Sequence, residues 1–101
     1  MALVWTGEQT ATSNVQKIAN AVKSDVQNHI SHTVVTYIAK KYREQDQSAI
    51  LGKFYLIKID IDTNNFVHVE VFVPNNYPGS QPVLLSVVEN IRMSDPLDPL
   101  V

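Results

Sequence analysis

From Ser13 to about Ile30, apolar residues recur at steps of three and four. Val15, Ile18, Ala19, Val22, Val26 and Ile30 fall on one stripe, the spacing of a helix with a single buried face. Gln16, Lys17, Asn20, Lys23, Ser24 and Gln27 fill the other faces. Ser13 stands at the N-cap position, and Gln16 occupies the reciprocal place of a capping box. The pattern predicts one long helix whose stripe faces the core.

Farther along the chain the period becomes two. Tyr55, Ile57, Ile59 and Ile61 share one strand face, with Lys58, Asp60 and Asp62 on the other, read as solvated. Asp62-Thr63-Asn64-Asn65 is a turn cluster. Phe66 to Val73 then sets Val67, Val69, Val71 and Val73 against Phe66, His68, Glu70 and Phe72. This is a β-hairpin, and His68 is expected at the surface or an edge. Pro74 to Gln81 holds two prolines and a glycine and reads as a loop. Val83 to Ile91 is a last strand, and Pro96 and Pro99 break the tail. Residues 33 to 44 open with β-branched residues and read as a strand rather than more helix. Residues 1 to 11 have no periodicity and read as an extended, mobile arm. The predicted architecture is α+β in two layers: one long N-terminal helix packed on a four- to five-stranded antiparallel sheet.

Composition narrows the function. A chain of 101 residues is one domain with a modest core and little room for a deep enzyme pocket. A net charge of -2 argues against nucleic acid as a partner and gives no electrostatic case for anionic membranes. No apolar run approaches membrane-spanning length, and the apolar start Met1 to Trp5 is too short for a signal-peptide core. With no cysteine, disulfides, thiolate nucleophiles and cysteine-based zinc sites are excluded. Such a chain suits the reducing cytosol.

Catalytic chemistry finds no support. The histidines are His29, His32 and His68, and spacing sets no serine or carboxylate beside them. His29 and His32 read as cations near a helix C-terminus rather than as a metal pair. With glycines only at 7, 52 and 79 there is no phosphate loop. The expectation is a protein that is not an enzyme and needs no cofactor.

The loops are more informative. In "QDQSAILGKFYLIKI", residues 45 to 59, Ala49-Ile50-Leu51 forms an apolar tip before Gly52. The other long link carries Asn75-Asn76-Tyr77-Pro78-Gly79. In an up-and-down sheet both links project from the same end, and the arm can lie beside them. Leu3, Val4, Trp5, Ala49, Ile50, Leu51 and Tyr77 would then line one apolar edge, the character of a binding surface.

These segments resemble the cystatins, and within them the stefins, across almost the whole chain. "VQKIANAVKSDV" (15 to 26) looks like the stefin helix, and "AKKYREQ" (39 to 45) like the strand that ends in the inhibitory loop's glutamine. "FYLIKI" (54 to 59) followed by "FVHVEVF" (66 to 72) is similar to the stefin hairpin, and "SDPL" (94 to 97) to the start of its C-terminal end. The resemblance implies a cystatin fold and a cytoplasmic inhibitor of papain-like cysteine proteases, such as papain or a cathepsin L-like enzyme. In that family a wedge fills the protease cleft on either side of the catalytic cysteine. Its parts are a glycine-containing N-terminal trunk, a first loop Gln-Val-Val-Ala-Gly, and a second loop with a Leu-Pro or Pro-Gly element. Carried onto this chain, the trunk is Leu3, Val4, Trp5 and Gly7. The first loop is Gln45, Gln47, Ser48, Ala49, Ile50, Leu51 and Gly52, and the second is Asn75, Asn76, Tyr77, Pro78 and Gly79.

All three segments depart from the family pattern. Matching Gln45 and Gly52 to the loop's glutamine and glycine leaves Asp46 to Leu51 in place of the family's Val-Val-Ala. Alternatively, Ser48 replaces the glutamine. The trunk glycine falls near Leu3 or Val4, and Gly7 lies closer to the helix. The second loop is longer by about a residue. Two partners therefore stand open: a papain-like protease, or another protein bound by re-cut loops on a stefin scaffold. Stefins exchange the helix and first strand between chains by opening the first hairpin, so a domain-swapped dimer is the alternative to the monomer that a longer, less strained loop favours.

Overall fold

The computed structural model describes residues 5–45, 52–63, 65–77 and 79–99. In chain order the elements are β1 (Gln9–Thr10), α1 (Ser13–Ala21), α2 (Lys23–His29), β2 (Ile38–Glu44), β3 (Gly52–Asp62), β4 (Asn65–Pro74) and β5 (Val83–Ile91). The strands form one antiparallel sheet in sequence order. The α+β arrangement is the one expected, and β3, β4 and β5 lie where the alternation put them. No helix among the described residues is long and apolar enough to cross a membrane.

The single long helix is not found; two short helices meet at Val22. Val22 has φ -108° and ψ 10°, outside the helical well. The carbonyl of Ala19 receives both the Val22 N–H at 3.2 Å and the Tyr37 hydroxyl at 2.8 Å. A tight turn stabilised from outside interrupts the regular ladder there. The apolar stripe is unbroken, because Val15, Ile18, Ala19, Val22 and Val26 all remain buried. The N-cap is Thr12 rather than Ser13, and its hydroxyl accepts the Val15 N–H at 3.2 Å. Gln16 is thereby freed from a capping box. Its amide donates to the Tyr37 carbonyl at 3.2 Å and accepts the Ala39 N–H at 2.8 Å, which pins α1 to the start of β2.

Residues 33–37 are not strand. Their backbone is satisfied elsewhere: Val34 N–H by the Gln27 side chain, and Val35 and Thr36 N–H by the Ile61 carbonyl at 2.8 and 2.9 Å. The segment is the return from helix to sheet.

The front of the sheet carries Tyr55, Ile57, Ile59, Ile61, Val67, Val69 and Val71 against the helical stripe. The back was expected to be solvated, and it is not. Leu56 and Lys58 are fully buried, His68 is 2% exposed and Glu70 4%. Residues 92–97 lie across this face, where a turn donates the Asp95 N–H to the Arg92 carbonyl at 3.0 Å. Lys58 Nζ donates to the carbonyls of Met93 and Asp95, each at 2.6 Å, and Leu97 is fully buried. A buried ammonium is tolerable only with such acceptors, and its burial lowers its pKa.

His68 stands opposite Lys58 in the β3–β4 register. Burial, reinforced by the Lys58 charge, lowers its pKa to about 4, and its Nε2 has no hydrogen-bond partner among the described residues. The unfolded chain takes up this proton near pH 6.5; the folded one does so only near pH 4. This contribution is therefore complete above about pH 6.5 and is lost as the pH falls toward 4. Urea unfolding is expected to show His68→Gln losing about 2 kcal/mol less than the parent between pH 7.5 and 4.5. Equal losses in the two proteins would show that His68 is not the titrating group.

Candidate binding surface

The antiparallel order brings one end of the sheet together. Trp5 bridges Gln45, the Thr6 N–H donates to the Glu44 carbonyl at 2.8 Å, and the Glu44 N–H donates to the Thr6 hydroxyl at 3.1 Å. From Trp5 onward the arm pairs along the sheet edge. From Trp5–Gln45 to Gln9–Tyr42 the arm advances four residues while β2 retreats three. The extra residue is a bulge around Gly7 and Glu8. A Cβ at Gly7 would meet nothing within 4 Å, so local packing does not demand glycine there.

β2 leaves the ladder at Gln45, whose N–H donates to the Phe54 carbonyl at 3.1 Å. β3 enters at Gly52, opposite Pro74. β4 leaves at Pro74 into two linked turns, Tyr77 N–H to the Pro74 carbonyl at 3.0 Å and Gly79 N–H to the Asn76 carbonyl at 2.6 Å. The arm, the β2–β3 link and the β4–β5 link therefore emerge side by side. At one strand spacing per step, the row from arm to β4 spans about 15 Å.

Of the expected contact residues, Trp5, Gly7, Gln45, Gly52, Asn75, Asn76, Tyr77 and Gly79 belong to this end. Leu3, Val4, Gln47, Ser48, Ala49, Ile50, Leu51 and Pro78 lie outside the described residues. Gln45 is only 2% exposed, so it roots the first link rather than tipping it. Tyr77 is half-buried and packs against the core. It lines a shallow depression of about 300 Å³ with Lys53, Tyr55, Val73, Pro74 and Asn75. Burial and then the neighbouring Glu44 carboxylate push the Tyr55 hydroxyl up to about 12, so it stays protonated and neutral.

No group of three or more histidine, cysteine or acidic side chains suited to a metal occurs among the described residues. His29 Nδ1 lies 2.7 Å from the Asp25 carbonyl, and His32 Nδ1 3.0 Å from Glu89 Oε1. Each is engaged separately.

Sequence reasoning missed the residues that hold the arm. Arg43 Nε donates to the Thr6 carbonyl at 2.8 Å, and its Nη1 to the Leu97 carbonyl at 2.8 Å. A signal was present: Phe54, Leu56, Phe66 and Phe72 alternate with the front-facing residues, and apolar positions on both faces mark a sheet covered on both sides.

No family model matches the chain. Curated relatives do. Stefin-C of Bos taurus is 38% identical over 64 residues, which is 63% of this chain and 60% of that protein. Leukocyte cysteine proteinase inhibitor 1 of Sus scrofa is 36% identical over 66% of this chain and 62% of its own length. In these two the chain matches less than two thirds of the relative. The match to Cystatin-B of Bos taurus is longer, 30% identical over 89 residues and 88% of both chains. Because that similarity runs through the helices, the hairpin and the last strand alike, the chain belongs to the stefins, the type 1 cystatins.

Proposed function

We propose that this protein inhibits papain-like cysteine proteases by occupying the active-site cleft with the arm around Trp5, the β2–β3 link and the β4–β5 link. The observation that carries the reading is the row of three chain segments at one end of the sheet, fixed by the Trp5–Gln45 bridge and the Gly52–Pro74 pairing. The relatives' names include a cysteine proteinase inhibitor, which sets the chemistry of the target. Inhibition of this kind requires no acid, base or cofactor from the chain. It rests on apolar burial and fit within a standard interface of roughly 1,600 Å², and the chain acts as a monomer.

The arm is one side of that contact. Deleting residues 1 to 5 is expected to leave association with a papain-like protease within about threefold and to speed dissociation by roughly tenfold or more, since interface losses fall mainly on the off-rate. Progress curves of substrate hydrolysis measure both rates. Unchanged dissociation would remove the arm from the interface, and absence of binding by the full chain would redirect the surface to a different protein partner.

A further inference from the structure

The geometry points to Arg43 as a positioning residue that ties the N-terminal arm to the C-terminal segment, so that a region on the back of the sheet sets how firmly Trp5 is presented. Arg43 lies on β2, with its side chain 22% exposed. One guanidinium bridges two backbone carbonyls from opposite ends of the chain, Thr6 through Nε and Leu97 through Nη1, each at 2.8 Å. A planar fork can hold both acceptors at once; a lysine ammonium on a flexible stem has no such fixed geometry. The carboxylate of Asp98 stands 3.9 Å from Nη1 but is itself 73% exposed, so the carbonyl contacts dominate.

A second link runs in parallel. The Leu97 N–H donates to Glu8 Oε2 at 3.2 Å, so Leu97 engages the arm side through both of its backbone polar groups. The C-terminal segment is in turn anchored from below by the Leu97 side chain, fully buried, and by Lys58, which holds the Met93 and Asp95 carbonyls. The arm needs this support. β1 has only two residues, and the bulge around Gly7 interrupts the pairing between them and Trp5. The consequence for inhibition rests on the function proposed above; the mechanical coupling does not.

Trp5 is the chain's one tryptophan, so its fluorescence reports the arm alone. Arg43→Met keeps the aliphatic stem and removes both donors, while Leu97→Ala loosens the C-terminal segment. In samples shown to be folded by circular dichroism, each is expected to raise acrylamide quenching of Trp5 about two- to threefold and to shift its emission to the red. Arg43→Lys should fall between Arg43→Met and the parent. The Leu97→Ala effect should vanish once Arg43→Met and Glu8→Ala have cut both links. A lowered melting temperature with native Trp5 quenching in Arg43→Met would overturn the proposal, as would a Leu97→Ala effect undiminished in the doubly cut background. With a papain-like protease, Arg43→Met should speed dissociation of the full chain but not of the chain lacking residues 1 to 5. If the parent binds no such protease, the proposed function fails, while the Trp5 measurement still decides the coupling.

Discussion

Gly52→Ala is expected to destabilise the fold by about 2–4 kcal/mol, a large effect for the addition of one methyl group. Gly52 has φ +158°, and a Cβ placed on it would stand 2.8 Å from Phe72 Cζ and 2.9 Å from Pro74 Cα, and would also strike the Val73 carbonyl oxygen. Phe72 can rotate, but only as far as its ring contact with Phe54, centroids 5.0 Å apart, allows. The Val73 and Pro74 atoms are backbone and can move only if the strands part. Since Gly52 pairs with Pro74, relief of the clash opens the end of the sheet that carries the proposed wedge. Urea unfolding measures the stability loss. A cost below about 0.5 kcal/mol, the level of an uninvolved surface site, would show that β3 does not enter the sheet against the β4 backbone.

Ile50→Asp and Leu51→Asp are each expected to weaken protease binding by at least about 3 kcal/mol, roughly a hundredfold. The physical reason is the cost of moving a carboxylate from water into a contact that offers it no partner. Both residues follow a polar stretch and precede Gly52, in the link rooted by Gln45 on one side and Gly52 on the other. Asp62→Asn, at the opposite end of β3, should leave affinity unchanged. Inhibition constants for the three variants separate a contact role from a general loss of stability. Equal affinities throughout would place the interface elsewhere on the molecule.

The hydrophobic pattern carried the front of the molecule and lost the back. Alternation located β3, β4 and β5 because one set of side chains along them is uniformly aliphatic. It gave the wrong environment for Lys58 and His68, since polar side chains on the second face ordinarily mean solvent. Here a proline-broken C-terminal segment with no periodicity of its own covers them, and its backbone carbonyls satisfy the Lys58 ammonium. The interruption at Val22 was equally hidden, because its stripe is unbroken and its cause is Tyr37, fifteen positions away. The pairing of the arm was not legible either, because it runs through backbone bonds and Arg43, neither of which leaves a pattern in the arm itself. What was legible of the site was its topology: glycines and prolines punctuate the two links, and an antiparallel order puts both at one end.

The most direct test of the proposed function is a titration of papain and of a cathepsin L-like protease with the folded protein, following residual activity. Activity is expected to fall linearly to an endpoint of one inhibitor per active protease. Full activity retained at micromolar inhibitor, with the protein folded by circular dichroism, would contradict it.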